Sequence, residues 1–253
     1  MFRKFVQLPV LAAALVVFCQ AQAQVPAKHL STPAPRVSTK GVSDPCYRKL
    51  SSTGRLTAYS VTVPPHGTTL LRAHADDYLL VALKKADLTL SGPYGNSFQF
   101  HLDDVGMQVV NGGWAHRVAN LDGSDTVLVE IDVQGGIRSS RALCGLSSPE
   151  CADTTFGKTD QGTYSRSTLF ETPTVRLTRV SLGPGGVLEQ HSHSGTDVLV
   201  PLTSAHLADD QGGITPLRLD VEVGDVRSFP AHTSHRMKNV GSEAVQFLEF
   251  ERK

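Results

Sequence analysis

The feature that most limits how this chain can fold is a repeat. A shift of 119 positions lays Gly67 on Gly186, His74 on His193, His116 on His235 and Asn120 on Asn239. In both copies the two histidines stand 42 residues apart. Such agreement, within matching patterns of short apolar runs, marks a duplicated unit, so the chain must build one small structure twice. The runs F98-Q-F-H-L102, T126-V-L-V-E-I-D-V133 and L217-R-L-D-V-E-V223 place apolar residues at alternate positions. That is the period of a half-buried strand. No long segment carries a helical period. The expected fold is therefore all-β and mainly antiparallel, with one domain over 51–135 and a second over 168–253. Residues 136–167, rich in Ser, Gly, Cys and Thr but without clear periodicity, read as the linker between them.

The N-terminal residues follow a different grammar. Arg3 and Lys4 precede an apolar run from Phe5 to Phe18, and Ala21 and Ala23 supply small residues before a cleavage point. This is the three-part pattern of a secretory signal peptide over residues 1–23. The run is shorter than the roughly 20 apolar residues that a membrane-spanning helix requires. Residues 24–50, with many Pro, Ser and Thr, read as a flexible lead-in. The expected location is periplasmic or secreted, with no membrane attachment after signal cleavage. In an oxidising compartment Cys46, Cys144 and Cys151 can pair in three ways, and the sequence leaves all three open. With 24 basic and 24 acidic residues the formal charge is +0, which gives no electrostatic support for nucleic acid as a partner. The expected partner is a small molecule, and edge strands of such sheets make a homodimer plausible.

The stretch E189-Q-H-S-H-S-G-T-D197 concentrates the candidate chemistry. Alternate side chains of a strand share a face, so His191 and His193 project together and can reach one divalent ion. Asp197 follows at a distance that allows its carboxylate to turn inward. A third imidazole can come from the segment between Gly224 and Asn239, which carries His235.

At these residues the sequence resembles the cupin superfamily, whose two motifs run roughly G-x5-H-x-H-x3,4-E-x6-G and G-x5-P-x-G-x2-H-x3-N. Gly186, His191, His193 and Asp197 follow the first, with one residue fewer after the glycine and Asp in place of Glu. Gly224, Pro230, His235 and Asn239 follow the second, with His232 in place of its inner glycine. The resemblance implies two tandem cupin domains, each a double-stranded β-helix or small jelly-roll barrel. It places His191, His193, Asp197 and His235 at the metal-ligand positions of the second. His232 then reads as a rim residue rather than a ligand. Three imidazoles and a carboxylate suit one divalent transition metal, whether Fe, Mn, Ni, Cu or Zn, since affinity order alone does not choose. Asp197 is also the candidate proton acceptor, a role that needs it near the substrate.

The first copy departs from this pattern. It has Arg72, His74, Tyr78 and His116 at the corresponding positions. Arginine stays protonated and its cation opposes a bound divalent ion. This domain is read as a degraded metal site in which Arg72, His74 and His116 form at most an anion pocket, or as a copy that packs against its partner. The resemblance implies an exported bicupin binding a metal in its C-terminal domain, with a dioxygenase-like enzyme acting on a small molecule as the first choice. A metal-dependent isomerase, lyase or decarboxylase, and a small-molecule-binding cupin without catalysis, are the alternatives.

Overall fold

The structure, a computed structural model, describes residues 44–137, 142–146, 151–152, 154–159 and 162–253. The expected signal peptide and most of the lead-in lie outside the described residues. The first copy contains β1 (Tyr47–Thr53), β2 (Leu56–Val63), β3 (Arg72–His74), β4 (Tyr78–Ala82), β5 (Ala86–Ser91), β6 (Ser97–Leu102), β7 (Met107–Val110), β8 (Trp114–Asn120) and β9 (Thr126–Val133). After the connection come β10 (Thr155–Thr159), β11 (Gly162–Glu171), β12 (Val175–Leu182), β13 (Val187–Ser192) and β14 (Thr196–Pro201). The chain ends with β15 (Ala205–Asp210), β16 (Leu217–Val221), β17 (Arg227–Phe229), β18 (Ser234–Asn239) and β19 (Val245–Arg252). No helix occurs among the described residues.

The repeat is visible in the topology. One sheet of the first copy runs β1-β2-β9-β4-β7, and its counterpart in the second runs β10-β11-β12-β19-β14-β17, the same order with one added edge strand. The opposing sheets run β3-β8-β5-β6 and β13-β18-β15-β16. All pairings between the named strands are antiparallel. Each copy is thus two facing sheets around one interior. The expected boundaries move, because β1 begins inside the lead-in and β10 and β11 begin inside the linker. β1 and β10 lie at sheet edges, where exposure on one side erases much of the alternation that sequence reading depends on.

The larger sheets are buried on both faces. On β19 the side chains of Val245 and Phe247 point into the barrel of the second copy. Leu248 and Phe250 point the other way, into a core shared with the first copy. β9 behaves alike: Leu128 belongs to the first barrel's interior, whereas Val129, Ile131 and Val133 join the shared core with Phe170, Leu177 and Val198 of the second copy. The runs Y78-L-L-V-A82 and V198-L-V200 are continuous rather than alternating because neither face meets water. Hydrophobic burial on this scale, about 1.5–3 kcal/mol per large side chain, makes the two domains one packed body. The first copy therefore packs against the second. A hydroxyl contact between Ser51 and Ser228 crosses the same junction.

Two sequence landmarks are structural clamps. Asn239 donates its side-chain amide to the carbonyls of Leu182, Gly183 and Glu243, at 3.1, 3.1 and 2.7 Å. Asn120 does the same for Val63, Pro64 and Ser124, at 3.0, 3.1 and 2.7 Å. Each ties three carbonyls from separate turns of its barrel to one side-chain amide. Of the three disulfide pairings, Cys144–Cys151 is formed, with a Cα separation of 5.0 Å.

Candidate metal centre

In the second barrel β13 and β18 pair so that His191 lies opposite His235. His193 follows β13 directly, its N–H donating to the carbonyl of Thr233 at 3.0 Å. The three rings meet inside the barrel: Nε2 of His235 is 3.0 Å from Nε2 of His193 and 3.1 Å from Nε2 of His191. Glu249, brought in on β19, completes a group whose ligand atoms all lie within 4.8 Å of one another.

Tautomers decide what this convergence means. The Nδ1–H of His235 donates to the buried carboxylate of Asp209 at 2.8 Å. The Nδ1–H of His191 donates to the carbonyl of Glu189, which can only accept, at 2.9 Å. When neutral, both rings therefore present bare lone pairs at Nε2, aimed at each other. That contact is repulsive unless a cation lies between them. A proton satisfies one such pair, whereas a divalent ion satisfies three imidazoles and a carboxylate together. Glu249 points to the same conclusion. It is buried, and neither carboxylate oxygen has a hydrogen-bond partner; the nearest cations are His191 at 3.6 Å and Arg166 at 3.8 Å. Burial alone would push this carboxyl up, but His191, with Arg166 and His193 behind it, holds it below its ordinary value. His191 is raised in return: burial lowers it, and the nearby carboxylate of Glu249 outweighs burial. His193, chiefly through burial, is lowered to about 4, which keeps it neutral and able to ligate. The residues present fit a divalent metal.

The carboxylate that the structure groups with the imidazoles differs from the one the motif offers. Asp197 is fully buried but sits behind His193, with Oδ1 4.0 Å from Nδ1, the nitrogen facing away from the cluster. Burial, reinforced by the charges of Glu249 and Glu251, pushes its carboxyl well above the ordinary value. It faces the back of the His193 ring, outside the group formed by the three imidazoles and Glu249. Glu249 instead faces the imidazoles. Glu249 and Asp209 were both missed in the sequence, although a signal was present. The 119-residue shift lays Glu130 on Glu249 and Asp132 on Glu251, acids on the inward face of an otherwise apolar strand.

A cavity of about 470 Å³ opens beside the centre, walled by His193, His232, Glu251, Arg176 and Lys253. Glu171 lies between its two cations, 2.8 Å from Arg176 and in contact with Lys253.

The first barrel contains its own cation. Arg72 lies opposite His116 on paired strands, where His191 lies opposite His235. Its guanidinium is 3.0 Å from Asp132 and 3.5 Å from Glu130. It also lies over the rings of Tyr59 and Tyr47, at 4.2 and 4.6 Å. Burial pushes Glu130 up to about 8, so the charge of Arg72 is committed mainly to Asp132. Asp132 lies below its ordinary value, since His74 and Arg72 outweigh its burial. His74, Glu130 and Asp132 approach one another as ligands would, but Arg72 supplies the positive charge there. The expected anion pocket loses its free cation for the same reason. His116 is engaged otherwise: its Nε2 accepts from the hydroxyl of Tyr78 at 2.5 Å, and Trp114 packs 4.3 Å from its ring. Its Nδ1 has no partner, because Leu90 stands where the second copy has Asp209. Burial, then His74 and Arg72, lower His116 to about 3.

Solved structures share this architecture. An oxalate decarboxylase from Bacillus subtilis with Mn(II) centres superposes with a TM-score of 0.55 at 14% identity, over 82% of this chain and 75% of that one. The chain has the fold of two tandem cupin domains. An oxalate decarboxylase from Lactobacillus farciminis in complex with formate gives 0.54 at 14% identity, over 78% of this bicupin and 77% of that chain. AerE from Microcystis aeruginosa gives 0.58 at 9% identity, over 83% and 98%. No family model and no curated protein matches the bicupin by sequence. At these identities the likeness extends to the fold, and the chemistry of the centre rests on the residues described above.

Proposed function

We propose that this bicupin is an exported, metal-dependent enzyme that acts on a small carboxylic acid in its second domain, with decarboxylase-type chemistry. The carrying observation is the convergence of three imidazole Nε2 atoms on a buried Glu249 that has no hydrogen-bond partner. His191, His193, His235 and Glu249 would hold the ion, and Asp209 would fix the His235 ring. Bound there, a divalent metal supplies Lewis acidity toward a substrate oxygen. Arg166, beside Glu249, offers a carboxylate the forked geometry it pairs with best. Asp197 lies inside the barrel behind His193, 4.0 Å from its Nδ1. The shared core lets the first domain hold β19, and so Glu249, in place. The oxalate decarboxylases among the structural relatives support a lyase over the dioxygenase expected from the motifs. The signal-like leader supports export, and the Cys144–Cys151 disulfide suits an oxidising compartment.

The test begins with the metal content of the exported protein. A panel of two- to six-carbon acids is then assayed for carbon dioxide release and for oxygen uptake in parallel. Stoichiometric metal with carbon dioxide release and no net oxygen uptake is expected. A protein that carries no metal would remove the proposal; oxygen consumption matched to product would return the dioxygenase reading.

A further inference from the structure

The turn that follows Pro230 carries an unusual choice of residue. His232 has φ +64, in the left-handed region that a side chain makes costly. The first copy makes the same turn with glycine: Gly113, the counterpart of His232 under the 119-residue shift, has φ +82. The backbone does the same work in both. The N–H of Gly113 donates to the carbonyl of His74 at 2.8 Å, and the N–H of His232 donates to the carbonyl of His193 at 2.9 Å. A glycine therefore suffices for the turn and for its bond to the inner histidine, and the imidazole contributes nothing the fold requires.

Strain by itself does not mark function. His66 has φ +52 in an exposed turn, where the second copy has Gly185 at φ +72. His232 is exposed too, and what distinguishes it is that it lines a cavity. It forms part of the wall of the 470 Å³ cavity that also includes His193 of the metal centre, with Glu251, Arg176 and Lys253 around it. The volume falls in the range of small-molecule sites, about 300–1,000 Å³. The barrel that carries Arg72 has glycine at this turn, and the histidine-rich barrel has His232. Residues held in sparsely populated backbone regions persist where the strain serves a site.

We propose that His232 is a substrate-contacting residue of the second barrel. It donates a hydrogen bond to the end of a small dicarboxylic or hydroxy acid that lies toward the cavity mouth, while the other end lies at the metal centre. This assignment rests on the proposed function of that centre and adds the residue that selects for a second polar group on the substrate.

The experiment compares wild type, His232→Gly and His232→Gln as full chains loaded with Mn(II). Metal content, thermal midpoint and calorimetric binding of succinate are measured on each. His232→Gly should keep its metal, raise the melting midpoint by about 2–4 °C on relief of the left-handed strain, and weaken succinate at least tenfold. His232→Gln, which keeps a donor amide, should stay within about threefold of wild type. Opposite signs in stability and binding are the signature, since a packing residue loses both. Three results overturn the assignment: equal succinate affinity in wild type and His232→Gly, a lower midpoint for His232→Gly, or no succinate binding by the loaded wild type. A wild type that holds no Mn(II) instead removes the reading of the centre, and the role of His232 with it.

Discussion

Replacing Arg72 with histidine tests whether the first barrel carries an internal cation where the second binds a metal. The guanidinium lies 3.0 Å from Asp132, and both side chains are roughly a quarter to a third exposed. That places the pair between surface pairs, about 0–1 kcal/mol, and buried ones, whose breakage costs about 3–5 kcal/mol. Two tyrosine faces at 4.2 and 4.6 Å add cation–π contacts of about 0.5–1 kcal/mol each. The penalty is limited because Glu130 can hold a proton up to about 8. A loss of about 3 kcal/mol follows for the metal-free variant, or about 6–12 °C in melting midpoint for a body of this size. The same substitution supplies the missing imidazole and assembles three histidines with Glu130. A divalent ion at a hundred times its dissociation constant should return about 2.7 kcal/mol. Calorimetry of the variant with and without Mn(II) or Zn(II), together with metal counting, measures both halves. The reasoning fails if the metal-free variant melts with wild type, or if the ion neither restores stability nor adds a bound equivalent.

The carboxylate assignment is checked by paired substitutions. Glu249→Gln should reduce metal retention on dialysis at least tenfold, and Asp209→Ala, which frees the His235 ring, should weaken metal binding about 10–100-fold. Asp197→Asn should stay within about threefold of wild type; a larger loss would restore Asp197 as a ligand. Glu130 gives a pH test. Its carboxyl is about 8 in the fold against an ordinary 4.5, so between those values the unfolded chain has released a proton that the folded chain keeps. Its contribution is full below about pH 4.5 and is lost as pH rises through about 8. Melting midpoints of wild type minus Glu130→Gln should therefore fall from pH 5 to pH 8, and a flat difference would refute the assignment.

Most of the fold was legible because it is periodic. Alternation identified strands, and the repeat showed that two like units had to be built, since His74, His116 and Asn120 recur with the same spacing. The edge strands β1 and β10 escaped, as did the depth of the interdomain core, because a run such as Y78-L-L-V-A82 does not say what covers each face. Of the site, the three histidines were readable from two motifs, their partner distances fixed by strand pairing. The carboxylate was not. Local spacing offered Asp197, four residues from His193, whereas Glu249 arrives from a strand more than fifty residues away.

Sequence by itself thus determined a duplicated β structure, a histidine set in one copy and an arginine breaking it in the other. Tertiary structure alone decided how each acid is used. A carboxyl's role depends on which way its strand faces and on which charge stands within about 4 Å, where Coulomb energies are large. Asp197 points to the back of His193, where burial raises its carboxyl. Glu249 faces the imidazoles, and Asp132 faces Arg72. Those orientations follow from pairing across sheets, which no local stretch of residues specifies.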